Sequence, residues 1–201
     1  MSIVSRLLTR ADGGSRQSVS SPAVEIVAMQ RRHLREVMPI EQGAYPTPWS
    51  RNVFESELQQ VATGSRHYVV ARRDRELVGY AGLWFVPDPD GDQAHVTNIV
   101  VAPAARRTQV GTCLMLHLAA CAIERGCVSW TLEVRASNHA AHELYRAFGF
   151  VPAGVRKRYY DNTEDAIVMW CHDLRSDDYR ERLQRLARNI DGGPDRTERP
   201  S

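Results

Sequence analysis

The chain has 201 residues, of which 43% are hydrophobic and 25% are charged. These values are ordinary for a globular protein, so they exclude a wholly disordered, collagen-like or coiled-coil chain. The 26 basic and 24 acidic residues leave a net charge of +2, which is too balanced to indicate a nucleic-acid-binding protein by itself.

The first part of the chain is predicted to pass from a disordered leader into an ordered domain. Residues 1–22 are rich in Ser, Gly and Arg without periodicity, which is typical of a disordered segment. The pattern then predicts a strand, a helix, a proline-bearing loop and a second helix, over residues 24–27, 30–42, 45–49 and 50–58. Each proline of the loop disfavours a helix at the residue before it, and Ser50 can cap the second helix.

The rest of the domain, which we expect to span residues 23–174, combines strands and helices. Three strands are predicted first, over residues 67–72, 77–86 and 94–101. A helix, a strand, a helix and two closing strands follow, over residues 110–125, 128–134, 138–148, 150–155 and 166–171. Strands that begin as hairpins and then alternate with helices predict an α/β fold whose sheet is of mixed direction. The polar segment 175–201 is predicted to be an extension, with an exposed helix over 177–188 and then a disordered tail.

Cysteine usage and hydropathy indicate a cytoplasmic protein. The four cysteines show neither a C-x-x-C pair nor regular spacing, which is typical of reduced thiols. The one histidine noted beside a cysteine is His172, next to Cys171, and adjacent residues of a strand point apart, so no metal site is expected. No apolar run reaches the ~18 residues of a membrane span, and the first residues lack the apolar stretch of a secretory signal.

A turn suited to an anion is the first candidate site. Residues 100–111 read as a strand, a basic loop and the start of a helix, where backbone N–H groups are unpaired and the helix dipole is positive. Arg106 and Arg107 would add charge for phosphate oxygens. A plain strand-to-helix turn with solvated arginines is the alternative, and this stretch alone does not separate the two.

Two further candidates could carry acid–base chemistry. Glu133 interrupts an apolar strand near its end, where burial would raise the pKa of its carboxyl and suit it to general-base catalysis; an ion pair with an arginine is the alternative. Tyr145 lies off the apolar line of its helix, so its hydroxyl could face a cleft, although a core tyrosine has the same pattern. His139 and His142, on the same helix, are predicted to lie at the surface.

Residues 156–161 combine positive charge with two adjacent aromatic residues, Tyr159 and Tyr160. Such a stretch could stack on a nucleic acid. Adjacent residues of a strand point to opposite faces, however, so at most one of these rings can serve any one groove.

In order and spacing, these stretches resemble the GNAT acyltransferases, and within them the ribosomal-protein alanine N-acetyltransferases. The likeness covers about residues 24–174 and rests on segments 98–101, 132–138, 144–150 and 158–160, with segment 48–50 similar to the family's early aromatic loop. The resemblance implies the family's mixed, mostly antiparallel central sheet, flanked by helices and splayed between its fourth and fifth strands. It also implies acetyl-CoA as donor. The acceptor would be the α-amine of an N-terminal alanine on a protein, usually the eighteenth ribosomal protein of the small subunit, with no membrane or specific nucleic acid as partner.

The same resemblance implies a role for individual residues. Backbone groups at the splay would bind the pantetheine arm, at Ile99, Val100 and Val101. The loop and helix start would hold the pyrophosphate, at Arg106, Arg107, Thr108, Gln109, Val110, Gly111 and Thr112. Asn138, which also looks like a helix N-cap, would contact the cofactor. Glu133 would be the general base and Tyr145 the general acid. The peptide groove would be lined by Tyr45, Trp49 and Tyr159.

Gln109 stands where the family has a glycine. We expect it to begin the following helix with a negative φ, because glutamine is a better helix former than glycine. Three alternatives to the alanine-specific enzyme stay open: a GNAT enzyme for another amine (other protein N-termini, a lysine side chain or a small amine), a non-catalytic CoA-binding module, and a basic RNA-associated protein. The joint presence of Glu133 and Tyr145 favours an enzyme over a binding module.

Overall fold

The computed structural model describes residues 23–191. The leader predicted for residues 1–22 and the last ten residues of the predicted tail lie outside the described residues. The strands are β1 (Glu25–Ala28), β2 (Arg66–Arg73), β3 (Glu76–Val86), β4 (Gln93–Val101), β5 (Ser129–Arg135), β6 (Val151–Tyr160) and β7 (Glu164–Cys171). The helices are α1 (Leu34–Ala44), α2 (Arg51–Val61), α3 (Val110–Glu124), α4 (His139–Ala147) and α5 (Asp177–Asp191).

The strands form one sheet of mixed direction. Their order within it is β1-β2-β3-β4-β5-β7-β6. Each neighbouring pair is antiparallel except β4 and β5, which are parallel. The prediction of a mixed, mostly antiparallel central sheet flanked by helices is therefore confirmed.

The one parallel pair separates partway along its length. Pairing of β4 with β5 covers only Gln93–Val96 and Ser129–Leu132, although β4 continues to Val101. The register of β4 against β3 shifts by one residue between Gly82 and Leu83, and such a bulge increases local twist. A gap consequently opens between the two strands beyond Val96, which confirms the predicted splay.

Helices cover both faces of the sheet. The larger core contains α3, α4 and α5, and the smaller one contains α1 and α2. Residues of β5 alternate between the two sides: Trp130 and Leu132 are in the larger core, whereas Glu133 points to the opposite face.

The C-terminal helix α5 corrects the prediction of an exposed helix. Tyr179, Leu183 and Ala187 are buried in the larger core. They recur every four residues and so occupy one face of the helix. Because the other faces of α5 are highly polar, this narrow apolar stripe is hidden in the average composition of the segment. The helix also continues to Asp191, three residues beyond the predicted end.

Two other elements differ in extent from the prediction. Helix α1 begins at Leu34, later than predicted, after a 3-10 turn at Arg31–His33. Strand β6 reaches Tyr160 rather than residue 155, and all but its last residue are exposed. An exposed edge strand lacks the alternation of buried and polar residues from which a strand is predicted. Within residues 23–191, no helix is both long enough and apolar enough to cross a membrane.

Candidate active site

The loop that leads into α3 forms a cradle of free backbone donors. Within residues 23–191, the N–H groups of residues 107–112 donate to no backbone acceptor. Arg107 and Gln109 have positive φ angles of 63° and 66°, and Thr108 between them does not. Alternating backbone handedness of this kind turns successive N–H groups into an anion-binding nest. The geometry supports the anion-binding interpretation over a plain turn.

Gln109 does not have the negative φ expected from the sequence. It is the N-cap of α3, with φ 66° and ψ 5°, a left-handed conformation that costs a residue with a Cβ about 1–2 kcal/mol. Its side-chain Nε2 donates a hydrogen bond of 3.3 Å to the backbone oxygen of Asn189 in α5. The prediction was wrong because it took helix propensity as decisive at a position where the cradle requires a left-handed backbone.

A side chain from the β2–β3 hairpin holds this loop in place. The two terminal nitrogens of Arg73 donate to the Oγ1 and the backbone oxygen of Thr108, both at 2.9 Å. Thr108 Oγ1 in turn donates to the oxygen of Ala105 at 2.7 Å. Arg106 leans back toward β4, with its Nε 3.4 Å from the oxygen of Val101. Arg73 was missed from the sequence because it lies far from the loop along the chain.

The unpaired edge of β4 lies beside the cradle. Ile99, Val100 and Val101 pair with β3 on one side and are beyond the pairing with β5 on the other. Asn98, at the start of this stretch, has a buried Nδ2 with no acceptor among the described residues. This edge therefore offers main-chain groups, and one orphaned amide, to an extended polar ligand.

Asn138 is the N-cap of α4, as its position in the sequence indicates. Its Oδ1 accepts a hydrogen bond of 3.2 Å from the backbone N–H of Ala141. Its contact with a cofactor stays a prediction. Gly111, in the first turn of α3, allows close packing, because a Cβ there would lie 3.3 Å from Leu144 Cδ2.

Glu133 is held by two partners on the face opposite the larger core. Its Oε2 is 3.2 Å from His95 Nε2, and its Oε1 is 3.1 Å from an Arg156 guanidinium nitrogen. The hydrogen bond with His95, helped by the charges of His95 and Arg156, lowers the pKa of the Glu133 carboxyl despite its partial burial. The expected upward shift was wrong, and the arginine ion pair considered as the alternative is present.

Tyr145 combines a buried ring with an unused hydroxyl. The ring packs edge-on against Phe150, with centroids 5.9 Å apart, as a core tyrosine would. Its hydroxyl makes no hydrogen bond within the described residues. Burial, with smaller contributions from Tyr45 and Tyr160, raises the pKa of this phenol well above its usual value. The group therefore stays protonated at neutral pH and is free to donate.

The loop between α1 and α2 carries two of the aromatic residues expected in the peptide groove. Glu41, almost fully buried in α1, accepts a hydrogen bond of 2.7 Å from the backbone N–H of Trp49. The same carboxylate accepts a hydrogen bond from the Tyr80 hydroxyl. Glu41 thus fixes where the loop containing Tyr45 and Trp49 leaves the helix. The sequence did not predict that the carboxylate of Glu41 is buried and holds this loop in place.

The hairpin of β6 and β7 contacts the loop between α1 and α2. Arg135 binds Glu164 at 2.9 Å and Asp161 at 3.0 Å, and its guanidinium lies 4.2 Å from the centre of the Tyr160 ring. Asp161 also accepts a hydrogen bond from the Thr47 hydroxyl. The hairpin tip is consequently tied both to the sheet and to the loop of α1 and α2.

A cavity of about 280 Å³ adjoins Glu133. The half-exposed Tyr159 lines it, whereas Tyr45 and Trp49 do not. The cavity is completed by residues of four strands, namely Trp84, Val86, Gln93, Ala94, His95, Thr131, Glu133 and Arg156. His95 and Trp84 were not singled out from the sequence. The usable signal was the alternation of β4, which puts His95 on one face with the pocket residues.

The two histidines of α4 differ from one another. His139 is exposed as predicted, whereas His142 is buried, with its Nε2 3.1 Å from the backbone oxygen of Arg135. The prediction that His142 lies at the surface was wrong, since a hydrogen bond satisfies its ring inside the fold. Among residues 23–191, no group of three or more His, Cys, Asp or Glu side chains is arranged to hold a metal ion.

Comparisons with known proteins agree on one family. The sequence profile of the acetyltransferase (GNAT) family matches residues 34–150. A Bacillus subtilis protein whose name refers to alanine N-acetylation of ribosomal protein bS18 is 38% identical over 143 residues, which cover 71% of this chain and 91% of that protein. The ribosomal protein bS18-alanine N-acetyltransferase of Escherichia coli K12 is 34% identical over 148 residues, with coverages of 72% and 94%. The crystal structure of the ribosomal-protein-S18-alanine N-acetyltransferase from Escherichia coli has a TM-score of 0.65 at 31% identity, and the match covers 75% of this chain and 94% of that one.

Proposed function

Because the chain belongs to the acetyltransferase (GNAT) family, we propose that it transfers the acetyl group of acetyl-CoA to the α-amine of an N-terminal alanine of a protein. Relatives named for the alanine N-acetylation of ribosomal protein bS18 support this acceptor. The protein substrate is then the N-terminus of that ribosomal protein or of another protein that begins with alanine. The site of action is the cytoplasm, where thiols stay reduced, and none of the four cysteines forms a disulfide within the described residues.

The residues present fit acetyl-CoA. The free N–H groups of residues 107–112, with Arg106 and Arg107 beside them, suit a pyrophosphate. The unpaired edge of β4 from Ile99 to Val101 and the orphaned amide of Asn98 suit an arm that carries amides. Acetyl-CoA supplies an acetyl group activated as a thioester. The chain's own residues bind it, orient the amine and handle the protons.

The proposal is supported most directly by two candidate acid–base groups, Glu133 on β5 and Tyr145 on the helix that follows it. Glu133 lies one residue beyond the last paired residue of β5. The hydroxyl of Tyr145 has no hydrogen-bond partner within the described residues, and burial, with smaller contributions from Tyr45 and Tyr160, raises the pKa of this phenol. A carboxylate serves the removal of a proton from the amine, and a protonated phenol serves the leaving thiolate, whose ordinary pKa is about 8.5.

An α-amine suits this site better than a lysine side chain. The α-amino group has an ordinary pKa of about 7.7–8.0, against about 10.4 for lysine. A sizeable fraction of the α-amine is therefore uncharged near neutral pH, so a base of modest strength is enough. The groove between the aromatic loop and the β6–β7 hairpin is bridged by Thr47 and Asp161, and we propose that Tyr45, Trp49 and Tyr159 line it for an extended N-terminal peptide.

A peptide panel tests the proposal. The peptides differ only in their first residue, their lysines are blocked, and acetylation is followed by mass spectrometry with acetyl-CoA present. We expect alanine-initiated peptides to be acetylated fastest, and the Glu133→Gln variant to be slower by about 10²–10⁴-fold. Acetyl-CoA binding without transfer to any peptide would point to the non-catalytic module. Equal rates for all first residues would contradict alanine specificity.

A further inference from the structure

The end of the β2–β3 hairpin lies next to the cradle. Strand β2 ends at Arg73, which the sheet register pairs with Glu76 at the start of β3. The chain leaves β4 at the same end of the sheet, because the backbone N–H of Ala102 donates to the oxygen of Val78 on β3 at 2.9 Å. The loop of residues 103–109 therefore starts beside the hairpin, within reach of a long side chain from it.

Arg73 holds the middle of the cradle through two hydrogen bonds. Its two terminal nitrogens donate to the Oγ1 and to the backbone oxygen of Thr108, both at 2.9 Å. A planar guanidinium that donates through two nitrogens fixes the direction of its partner as well as the distance. Among residues 23–191, no acidic side chain is paired with Arg73. Thr108 is consequently the residue that this guanidinium holds.

The residues on either side of Thr108 have an unfavourable backbone conformation. Arg107 has a φ of 63° and Gln109 a φ of 66°, and only glycine adopts such angles without a penalty. At the position of Gln109 the family has a glycine. A loop with two side-chain-bearing residues in this conformation keeps it only where surrounding contacts hold it there. The bonds from Arg73 to the residue between them are such contacts.

We propose that Arg73 is a positioning residue for acetyl-CoA: by holding Thr108, it keeps the neighbouring residues left-handed and their N–H groups turned toward the pyrophosphate. The inference rests on the proposed function in one respect, namely that the cradle binds the pyrophosphate of acetyl-CoA. It also accounts for the absence of the family's glycine. A restraint from the hairpin replaces the conformational freedom that glycine would give to the loop.

This role predicts an effect on cofactor binding and none on the chemical step. Without the restraint, the ligand-free loop spends part of its time with negative φ at Arg107 and Gln109, and the apparent Kd rises as the competent fraction falls. Once the cofactor is bound, the cradle has the same shape with or without Arg73. The Kd and KM for acetyl-CoA should therefore change, whereas kcat at saturating acetyl-CoA should not.

The variant Arg73→Lys separates positioning from simple attraction of charge. Lysine keeps the positive charge but lacks the planar pair of donor nitrogens. We expect the Kd for CoA and for acetyl-CoA, measured by calorimetric titration, to rise about tenfold to a hundredfold. The matched control is Arg75→Lys, the same exchange in the exposed turn of the same hairpin, which should bind CoA as wild type does.

A second substitution tests whether Arg73 acts through the strained backbone. Adding Gln109→Gly to Arg73→Lys removes the penalty at one left-handed position, so it should recover about tenfold in the Kd for CoA. The same glycine should have little effect while Arg73 is present, because the cradle is then already held. Thr108→Val removes one of the two acceptors from the loop side, and we expect it to raise the Kd about threefold to tenfold.

Three outcomes would overturn the proposal: a wild-type Kd for CoA in Arg73→Lys, an equal loss of affinity with Gln109 and with glycine at that position, or a lower kcat with an unchanged KM for acetyl-CoA. Because CoA binding is measured without a peptide, the two claims fail separately. Weaker CoA binding in Arg73→Lys, with no peptide acetylated by the wild type, would contradict the proposed function and support the role of Arg73.

Discussion

The backbone of Gln109 is left-handed although the residue carries a Cβ, so the strain lies at a position where we propose that the pyrophosphate of acetyl-CoA binds. The side chain points to α5 rather than into the cradle, since its Nε2 binds the oxygen of Asn189. The N–H that a phosphate would use is the same for any residue except proline. We therefore expect a substitution at Gln109 to change the free energy of unfolding while it leaves the affinity for acetyl-CoA nearly the same.

The comparison of Gln109→Gly with Gln109→Ala measures that cost. Both variants lose the hydrogen bond to α5, but only glycine adopts a positive φ without penalty. We expect the glycine variant to unfold with a free energy about 1–2 kcal/mol larger than the alanine variant, as measured by urea denaturation. The affinity for acetyl-CoA should change less than tenfold in calorimetric titration. An alanine variant as stable as the glycine variant would show that the position is not strained.

Removal of the Tyr145 hydroxyl should affect the reaction more than the fold. Because the hydroxyl has no hydrogen-bond partner within the described residues, Tyr145→Phe leaves no buried group unpaired. We expect kcat to fall about 10²–10⁴-fold, with the melting temperature and acetyl-CoA affinity nearly unchanged. Tyr179→Phe, a buried tyrosine of α5, is the control and should keep wild-type turnover. A Tyr145→Phe enzyme with full turnover would remove the tyrosine from the mechanism.

Single residues were predictable from the sequence where they interrupt a local pattern. Glu133 breaks an apolar strand, and Asn138 precedes a helix, so both stand out. The partners of Glu133, His95 and Arg156, do not stand out in the sequence. They lie on other strands, and only the strand order β4-β5-β7-β6 brings them to Glu133. The direction of the Glu133 pKa shift depended on those partners, and for that reason the expectation from burial alone was wrong.

At the scale of elements, the loop between α1 and α2 and the β6–β7 hairpin are the two walls that we propose for the peptide groove. Their link is the hydrogen bond from the Thr47 hydroxyl to Asp161. The link also lowers the pKa of the Asp161 carboxyl, with a further contribution from Arg135. The carboxylate is therefore present throughout the neutral range, and the walls are joined under the conditions of catalysis.

Thr47→Val should loosen the groove without touching the reacting groups. Loss of a hydrogen bond to a carboxylate is expected to raise KM for the peptide about threefold to tenfold, with kcat and the Kd for acetyl-CoA little changed. Thr63→Val, at the end of α2 and bonded only locally, is the matched control. A fall in kcat with an unchanged KM would mean that the link serves the chemical step instead of peptide binding.

Elements with a strong local period were foreseen, and those defined by their neighbours were not. The strands β2 to β5 and the helices α3 and α4 follow hydrophobic periodicity and clear turn residues. The edge strand β6 is exposed nearly throughout, so it has no such signal. Helix α5 was placed correctly, but its apolar stripe against the larger core was too narrow to show in its polar composition. The splay was implied by family resemblance, and the structure shows its basis in the short β4–β5 pairing.

At the scale of the whole molecule, a pair of histidines, one buried and one partly buried, is expected to make stability depend on pH. His67 on β2 and His117 on α3 have their Nε2 atoms 3.1 Å apart and their rings stacked. Burial, with a contribution from His67, lowers the pKa of His117 to about 4, and burial also lowers the pKa of His67. The unfolded chain, with ordinary histidine pKa values of about 6.5, thus binds protons at a higher pH than the folded chain does.

The stability contributed by this pair should be complete above pH 6.5 and decline as the pH falls toward 4. For His117 alone, the loss by pH 4 is about 3 kcal/mol of unfolding free energy. Urea denaturation between pH 5 and pH 7 measures the slope, above the range in which carboxyl groups dominate. We expect His117→Gln to flatten the curve and the exposed His139→Gln to leave it unchanged. Parallel curves for wild type and His117→Gln would rule out the pair as the source.

The central claim is that the enzyme acetylates an α-amine on alanine, and one peptide tests it most directly. The peptide begins with alanine and carries one unblocked internal lysine, so that both amines compete within the same molecule. After limited reaction with acetyl-CoA near neutral pH, tandem mass spectrometry locates the acetyl group. We expect it on the N-terminal alanine, with little on the lysine. Acetylation of the lysine in preference to the α-amine would contradict the account.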